Sequence, residues 1–289
     1  MPLTNICKLI RHETKVATTC FTLSLLVFSC IEIVCLYHLS NILAICGLFT
    51  LLFCAIISSI YVIYVQDDFQ IAIRASFLGT FFALGVYIYL ATPSYVQIFG
   101  IYMCVMAFFH FSEYIVISLI QPQELSTNSF LINHSPQYNI AAVTSWIEFF
   151  LEAYFLAEIK KYHWISYFGL LVCILGELLR KISMLTAGTS FNHVVAYEKS
   201  SKHHLVTNGV YAWFRHPSYV GWFYWSIATQ IVLINPFCIL AYAAASWMFF
   251  NGRIIMEEIT LLNFYGQHYC DYQKKVSTGI PFIMGYRIN

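Results

Sequence analysis

The sequence predicts an all-α membrane protein, a polytopic bundle of about eight transmembrane helices with a cytosol-facing C-terminal region. Three observations predict it. First, 60% of the 289 residues are apolar and only 10% are charged, against about 25% charged in soluble domains. Second, the apolar residues fall in runs near the roughly 20 residues needed to cross a hydrocarbon core of about 30 Å. Third, lysine and arginine gather on one side of the resulting topology, as the positive-inside rule requires. The formal charge of +1 argues against nucleic acid, which demands a basic surface.

The first run, 16–37, follows Lys8, Arg11 and Lys15. It is too long for a signal-peptide core of about 7–15 residues and lacks a small-residue cleavage pattern, so it reads as a retained span. Further spans are expected near 42–65, 71–91, 97–120, 140–158 and 163–180. The last two, 219–234 and 236–250, are short and meet at Asn235–Pro236, which fits a tight helical hairpin better than two independent crossings. Backbone hydrogen bonds must close within each segment in lipid, so all are expected to be helices. Eight of the ten cysteines lie inside these runs and no Cys-x-x-Cys pair occurs. They read as small buried hydrophobes rather than disulfides or zinc ligands.

With both termini cytosolic, the basic residues of the cytosolic side include Lys8, Arg11, Lys15, Arg74, Arg180, Lys181, Lys199, Lys202, Arg215, Arg253, Lys274, Lys275 and Arg287. Only Lys160 and Lys161 fall opposite, and they are the weak point of the topology. The sequon Asn133-His134-Ser135 then lies in a cytosolic loop and goes unused. Glu32, Glu113, Glu148 and Glu152 fall inside spans, and Glu177 lies near a span end. Glu148 and Glu152 share a helix face and either line a polar cavity or hydrogen-bond between helices. Glu177 with Arg180, and His110 with Glu113, read as local pairs. Glu32 has no assigned partner.

Two stretches break the apolar pattern, 181–218 and 251–289, and both fall on the cytosolic side. They can meet and build a water-accessible site. Arg253 and Glu257 are four apart and share one helix face. They are either an interfacial salt bridge or two binding groups: an arginine whose planar fork suits a carboxylate, and a glutamate that holds a cationic part of a ligand. In the earlier stretch, Gly209 and Gly221 would let backbone approach a ligand. Pro217 is placed to open a helix, whose free N–H groups can meet a carboxylate. The adjacent His203 and His204 point different ways, and no carboxylate spacing completes a set with His216, so a metal site is not expected.

The run Leu205-Val206-Thr207, Gly209-Val210-Tyr211 and Arg215-His216-Pro217-Ser218-Tyr219-Val220-Gly221-Trp222, followed by Arg253 and Glu257-Glu258, resembles the isoprenylcysteine carboxyl methyltransferase family. The likeness continues through Phe264-Tyr265-Gly266 and Thr278-Gly279-Ile280-Pro281-Phe282. It implies S-adenosylmethionine as methyl donor, bound without a Rossmann domain and leaving as S-adenosylhomocysteine. It makes 181–289 the catalytic region. It implies a cofactor pocket lined by His203, His204, Leu205, Val206, Tyr211, His216, Pro217, Ser218, Tyr219 and Glu257, with Arg253 facing the substrate carboxylate. Ala196 stands where related enzymes tend to place a glutamine, so any contact there is through backbone or packing. The implied partners are the bilayer and the prenylated C-terminal cysteine of CaaX proteins such as small GTPases, at the endoplasmic reticulum. Parts of the motif also occur in lipid N-methyltransferases and NADPH-dependent sterol reductases. A transporter is the non-enzyme alternative, but the two related halves often seen in transporters are absent.

Overall fold

The computed structural model describes residues 11–38, 52–53, 56–57, 59, 63, 67–133, 135–195, 197–199 and 204–286. Most of the expected span 42–65 lies outside them, as do His134, Ala196 and His203. Among the described residues the α-helices are α1 (His12–His38), α2 (Asp67–Ala91), α3 (Ser94–Ile120), α4 (Pro136–Phe155), α5 (His163–Ala187), α6 (Pro217–Leu233), α7 (Pro236–Tyr265) and α8 (Gln267–Lys275), joined by turns and short 3-10 segments. The chain divides into two compact units, Met1–Val143 with Phe150–His163, and Thr144–Phe149 with Trp164–Asn289.

In the first unit, α2 and α3 approach so closely that a Cβ at Gly85 would lie 2.7 Å from the Gly100 carbonyl oxygen. Small residues at helix crossings are how apolar helices pack where lipid supplies no hydrophobic drive between them. Aromatic stacking fills the rest, with Phe21 on Phe111 at 3.9 Å and Tyr114 on Phe130 at 4.0 Å. His110 spends both ring nitrogens, on the Phe130 carbonyl at 2.9 Å and the Tyr138 hydroxyl at 3.0 Å. Lys160 is fully buried and meets Glu152 at 2.6 Å, and Lys161 meets Glu158 at 2.5 Å. The two lysines that weaken the topology are therefore each matched by a carboxylate.

In the second unit, α5 is inverted relative to a soluble helix. It buries Ser166, Gly169, Gly176, Arg180 and Ser183 and exposes Trp164, Phe168, Leu171, Leu175, Leu178, Ile182 and Leu185. An outward apolar stripe at three- and four-residue spacing is what lipid selects. Gly221 of α6 does not open backbone to a ligand, as its sequence context suggested. It packs on α5, where a Cβ would meet the Gly176 carbonyl oxygen at 2.5 Å. Gly209, at φ +57°, likewise faces Thr186. Gly221→Ala is expected to lower stability by about 1–3 kcal/mol, the usual cost of overpacking, read as a fall in thermal unfolding temperature in detergent.

The α6–α7 turn is set by Ile234, left-handed at φ 54°, and by buried Asn235. The Asn235 side-chain amide donates to the Ser145 carbonyl at 2.9 Å and to Gln230 Oε1 at 3.2 Å. Glu148 accepts the backbone N–H groups of Phe237 and Cys238 at 2.8 Å each, capping donors a helix start leaves unpaired. Of the two sequence readings of Glu148, interhelical hydrogen bonding holds. Helix α7 runs to Tyr265, fifteen residues past the expected end of the apolar span at 250, and carries Arg253 and Glu257 on one helix as their spacing implies. The apolar run marks where lipid contact stops, but Met256, Glu257, Glu258, Leu261 and Leu262 are strong helix formers and carry the backbone onward. Asp68–Ala91, Ser94–Ile120 and Pro236–Tyr265 are each long and apolar enough to cross a membrane, so α7 is more than the short hairpin limb expected.

Candidate active site

The site lies within the second unit and is organised by two adjacent glutamates of α7 that point different ways, because successive helical residues are turned by about 100°. Glu258 is fully buried. Its Oε1 accepts from Arg215 Nε at 2.7 Å, His216 Nε2 at 3.1 Å and the Tyr269 hydroxyl at 3.2 Å. Its Oε2 accepts from Gln273 Nε2 at 3.0 Å and the Tyr286 N–H at 2.7 Å. Arg215, 4% exposed, spends its other donors on the carbonyls of Gln273, Val276 and Met284. A buried ion pair is tolerated only with its remaining hydrogen-bonding capacity met, and here it is. Gly285 is required beside it, since a Cβ there would overlap the Glu258 carboxylate.

This knot ties 267–286 onto α7 and fixes the start of α6. The backbone N–H groups of Arg215 and His216 also donate to the carbonyls of Ser277 at 2.8 Å and Thr278 at 3.4 Å. Gly279, at φ +99°, has Val220 and Phe214 within 2.7 Å of where a Cβ would sit. Pro217 then begins α6, as expected from the sequence. Arg180 of α5 is buried, donates to Ser218 Oγ at 2.7 Å and lies over the Trp222 ring at 4.5 Å.

Glu257 faces a pocket. Its carboxylate accepts from the Tyr219 hydroxyl at 2.5 Å and lies 4.0 Å from His216 Nδ1. Of the residues named from the sequence, His204, Leu205, Val206, Tyr211, His216, Pro217, Ser218, Tyr219 and Glu257 line this pocket. His203 lies outside the described residues. Arg253 is one turn before Glu257 and is not part of the lining. It donates from Nε to the Tyr219 hydroxyl at 3.2 Å and from Nη2 to the His193 carbonyl at 2.5 Å. The interfacial salt bridge weighed for Arg253 and Glu257 does not form; the Tyr219 hydroxyl stands between them.

The model of the isoprenylcysteine carboxyl methyltransferase family matches residues 169–263. A protein-S-isoprenylcysteine O-methyltransferase of Tribolium castaneum is 65% identical over 225 residues, covering 78% of this chain and 80% of the relative. The chain belongs to the isoprenylcysteine carboxyl methyltransferase family. The Homo sapiens enzyme of the same name is 52% identical over 227 residues, covering 78% of this chain and 80% of its own. A solved structure, described as the eukaryotic intramembrane Ras methyltransferase ICMT without a monobody, superposes with a TM-score of 0.94 at 56% identity, covering 96% of this chain and 99% of that one. The chain is therefore a multi-pass membrane methyltransferase acting on an isoprenylcysteine carboxyl group. The N-methyltransferase, reductase and transporter readings are not favoured.

Sequence reasoning missed much of the pocket wall. Thr260, Leu261, Phe264 and Tyr265 line it, at three, four, seven and eight residues beyond Glu257, so helical periodicity from that glutamate would have found them. Ser190, Phe191, Asn192, Val194 and Val195 also line it and had no periodic signal. Contacts that fasten their segment include Ser190 Oγ with His204 Nδ1 at 2.9 Å, and Lys199 Nζ, which donates to the Phe264 carbonyl at 3.0 Å and lies over Tyr265 at 4.5 Å. Burial pushes the phenols of Tyr211, Tyr269 and Tyr272 far above their ordinary pKa. They stay neutral donors at any working pH.

Proposed function

We propose that the enzyme esterifies the α-carboxylate of the C-terminal S-prenylcysteine of processed CaaX proteins, small GTPases among them, using S-adenosylmethionine as donor. The reading is carried by one observation: Arg253 and Glu257 lie one turn apart on α7 with a shared neighbour, Tyr219. One side chain suits an anion and the other a cation.

The pocket fits this donor. Among the described residues Glu257 has no lysine or arginine partner, and aromatic rings surround it, an environment that favours a cation. A phosphate-rich nicotinamide cofactor would need free cationic donors, yet Arg215 is already spent on Glu258 and backbone carbonyls. His204, Leu205, Val206, Tyr211, His216, Pro217, Ser218, Tyr219 and Glu257 would hold the group, with His203 beside them in sequence. S-adenosylmethionine supplies an electrophilic methyl group on a sulfonium. Arg253 would bind and orient the carboxylate, which is already ionised at an ordinary α-carboxyl pKa of about 3.3–3.7, so no residue is required as general base. The aromatic and apolar wall would keep water from the reacting groups, which favours a reaction in which both reacting charges disappear. The neutral ester then loses its ion pair with Arg253, which favours release.

We place the site at the cytosolic face of the endoplasmic reticulum membrane. The excess of lysine and arginine on the cytosolic side of the topology supports this orientation. A rim site serves a polar donor from water and a prenyl chain that prefers lipid by about 0.8 kcal/mol per CH₂.

Purified protein incubated with methyl-labelled S-adenosylmethionine and N-acetyl-S-farnesylcysteine should yield base-labile label on the carboxylate. Sterol-dependent NADPH oxidation without methyl transfer would contradict the proposal.

A further inference from the structure

Arg253 and Glu257 are placed to neutralise each other. They are four residues apart on one helix face, the spacing at which opposite charges pair on a helix surface. Their surroundings are partly buried, which strengthens the attraction. Yet among the described residues neither forms an ion pair with the other. The Tyr219 hydroxyl, from α6, accepts from Arg253 Nε at 3.2 Å and donates to Glu257 Oε2 at 2.5 Å. The other partner of Arg253 is also a neutral oxygen, the His193 carbonyl. Two of the five guanidinium N–H groups are thereby used for orientation without cancelling the charge.

We infer that the Tyr219 hydroxyl is a spacer, a positioning group that keeps Arg253 and Glu257 from closing into a direct ion pair and so keeps each charge available for its own ligand. The inference rests on the reading that Arg253 receives the substrate carboxylate and Glu257 the cationic donor. The ring does not need its hydroxyl to stay in place. It stacks on His216 at 5.6 Å with planes 7° apart and packs on Phe250 at 5.3 Å. Tyr219→Phe therefore keeps the pocket wall and removes only the spacer. Arg253 can then turn to Glu257, and an incoming carboxylate must compete with an internal one.

The test is a mutant cycle on the full-length enzyme. Calorimetry would measure binding of S-adenosylhomocysteine, then of N-acetyl-S-farnesylcysteine at saturating S-adenosylhomocysteine. Tyr219→Phe should weaken the prenylcysteine about tenfold or more, because the incoming carboxylate must displace Glu257 from Arg253. It should weaken S-adenosylhomocysteine as well, since a Glu257 captured by Arg253 is no longer free for the ammonium group of that ligand. In a Glu257→Gln background the same substitution should cost the prenylcysteine little, because a neutral amide cannot capture Arg253. Equal losses of prenylcysteine affinity in both backgrounds would overturn the spacer role, as would unchanged S-adenosylhomocysteine affinity in Tyr219→Phe alone. Arg253→Ala separates the two levels: unchanged prenylcysteine affinity there would remove the underlying assignment itself. A normal response of Arg253→Ala with no effect of Tyr219→Phe would sink only the spacer.

Discussion

Arg253→Ala is expected to lower kcat/KM for N-acetyl-S-farnesylcysteine by about a thousandfold, since losing one partner of a desolvated charge pair costs about 2–5 kcal/mol and each 1.36 kcal/mol is tenfold in rate. The effect should exceed that of an ordinary binding residue. The guanidinium both attracts the carboxylate and fixes its approach, and its own orientation is held by the Tyr219 hydroxyl and the His193 carbonyl. Arg253→Lys should recover only part of the loss. An ammonium restores the charge, but it is a compact point charge without the planar fork that two fixed acceptors on one side and a carboxylate on the other require. Initial rates of labelled-methyl transfer over a range of prenylcysteine concentrations would check both variants.

Glu258→Ala should be the most damaging change to stability. It strands the Arg215 charge in a buried site, at a cost of about 3–5 kcal/mol, and removes the acceptor that gathers His216, Tyr269, Gln273 and the Tyr286 N–H. The fold should fail around 267–286 first, because that segment is tied to α7 through this carboxylate. Thermal unfolding in detergent would show a large downward shift. Adding Arg215→Met to Glu258→Ala should recover part of it, since replacing both members of a buried pair with apolar groups is far less costly than stranding one. A variant lacking both that unfolds no later than Glu258→Ala would mean the stranded charge is not the cause.

The sequence made the class of fold legible because lipid imposes a simple rule, long apolar runs that must be helical. It was less informative where that rule stops. The last apolar span ends at 250 because hydropathy changes there; the spacing of Arg253 and Glu257 already puts them on one helix face, but the run of that helix to Tyr265 was not legible. The pocket was legible through the Leu205–Gly221 motif, and its helical wall was recoverable from periodicity. The stretch 190–195 was not, because an irregular segment has no period and its place depends on distant contacts, Ser190 with His204 and Lys199 with Phe264. The Glu257-Glu258 pair shows the same limit at single-residue scale. Adjacent identical side chains carry opposite duties, one in the pocket and one in a knot with Arg215, and only the helical turn between them distinguishes the two. Gly221 failed differently: its need for close approach was read correctly, but the neighbour is Gly176 of α5 rather than a ligand.

The central claim is that one face of α7 divides two charges between two ligands. Calorimetric binding of S-adenosylhomocysteine to the wild type, Arg253→Ala and Glu257→Ala tests it most directly. The account predicts about tenfold or greater weakening for Glu257→Ala, the loss of a hydrogen-bonded charge contact, and little change for Arg253→Ala. Unchanged affinity in Glu257→Ala together with lost affinity in Arg253→Ala would contradict it.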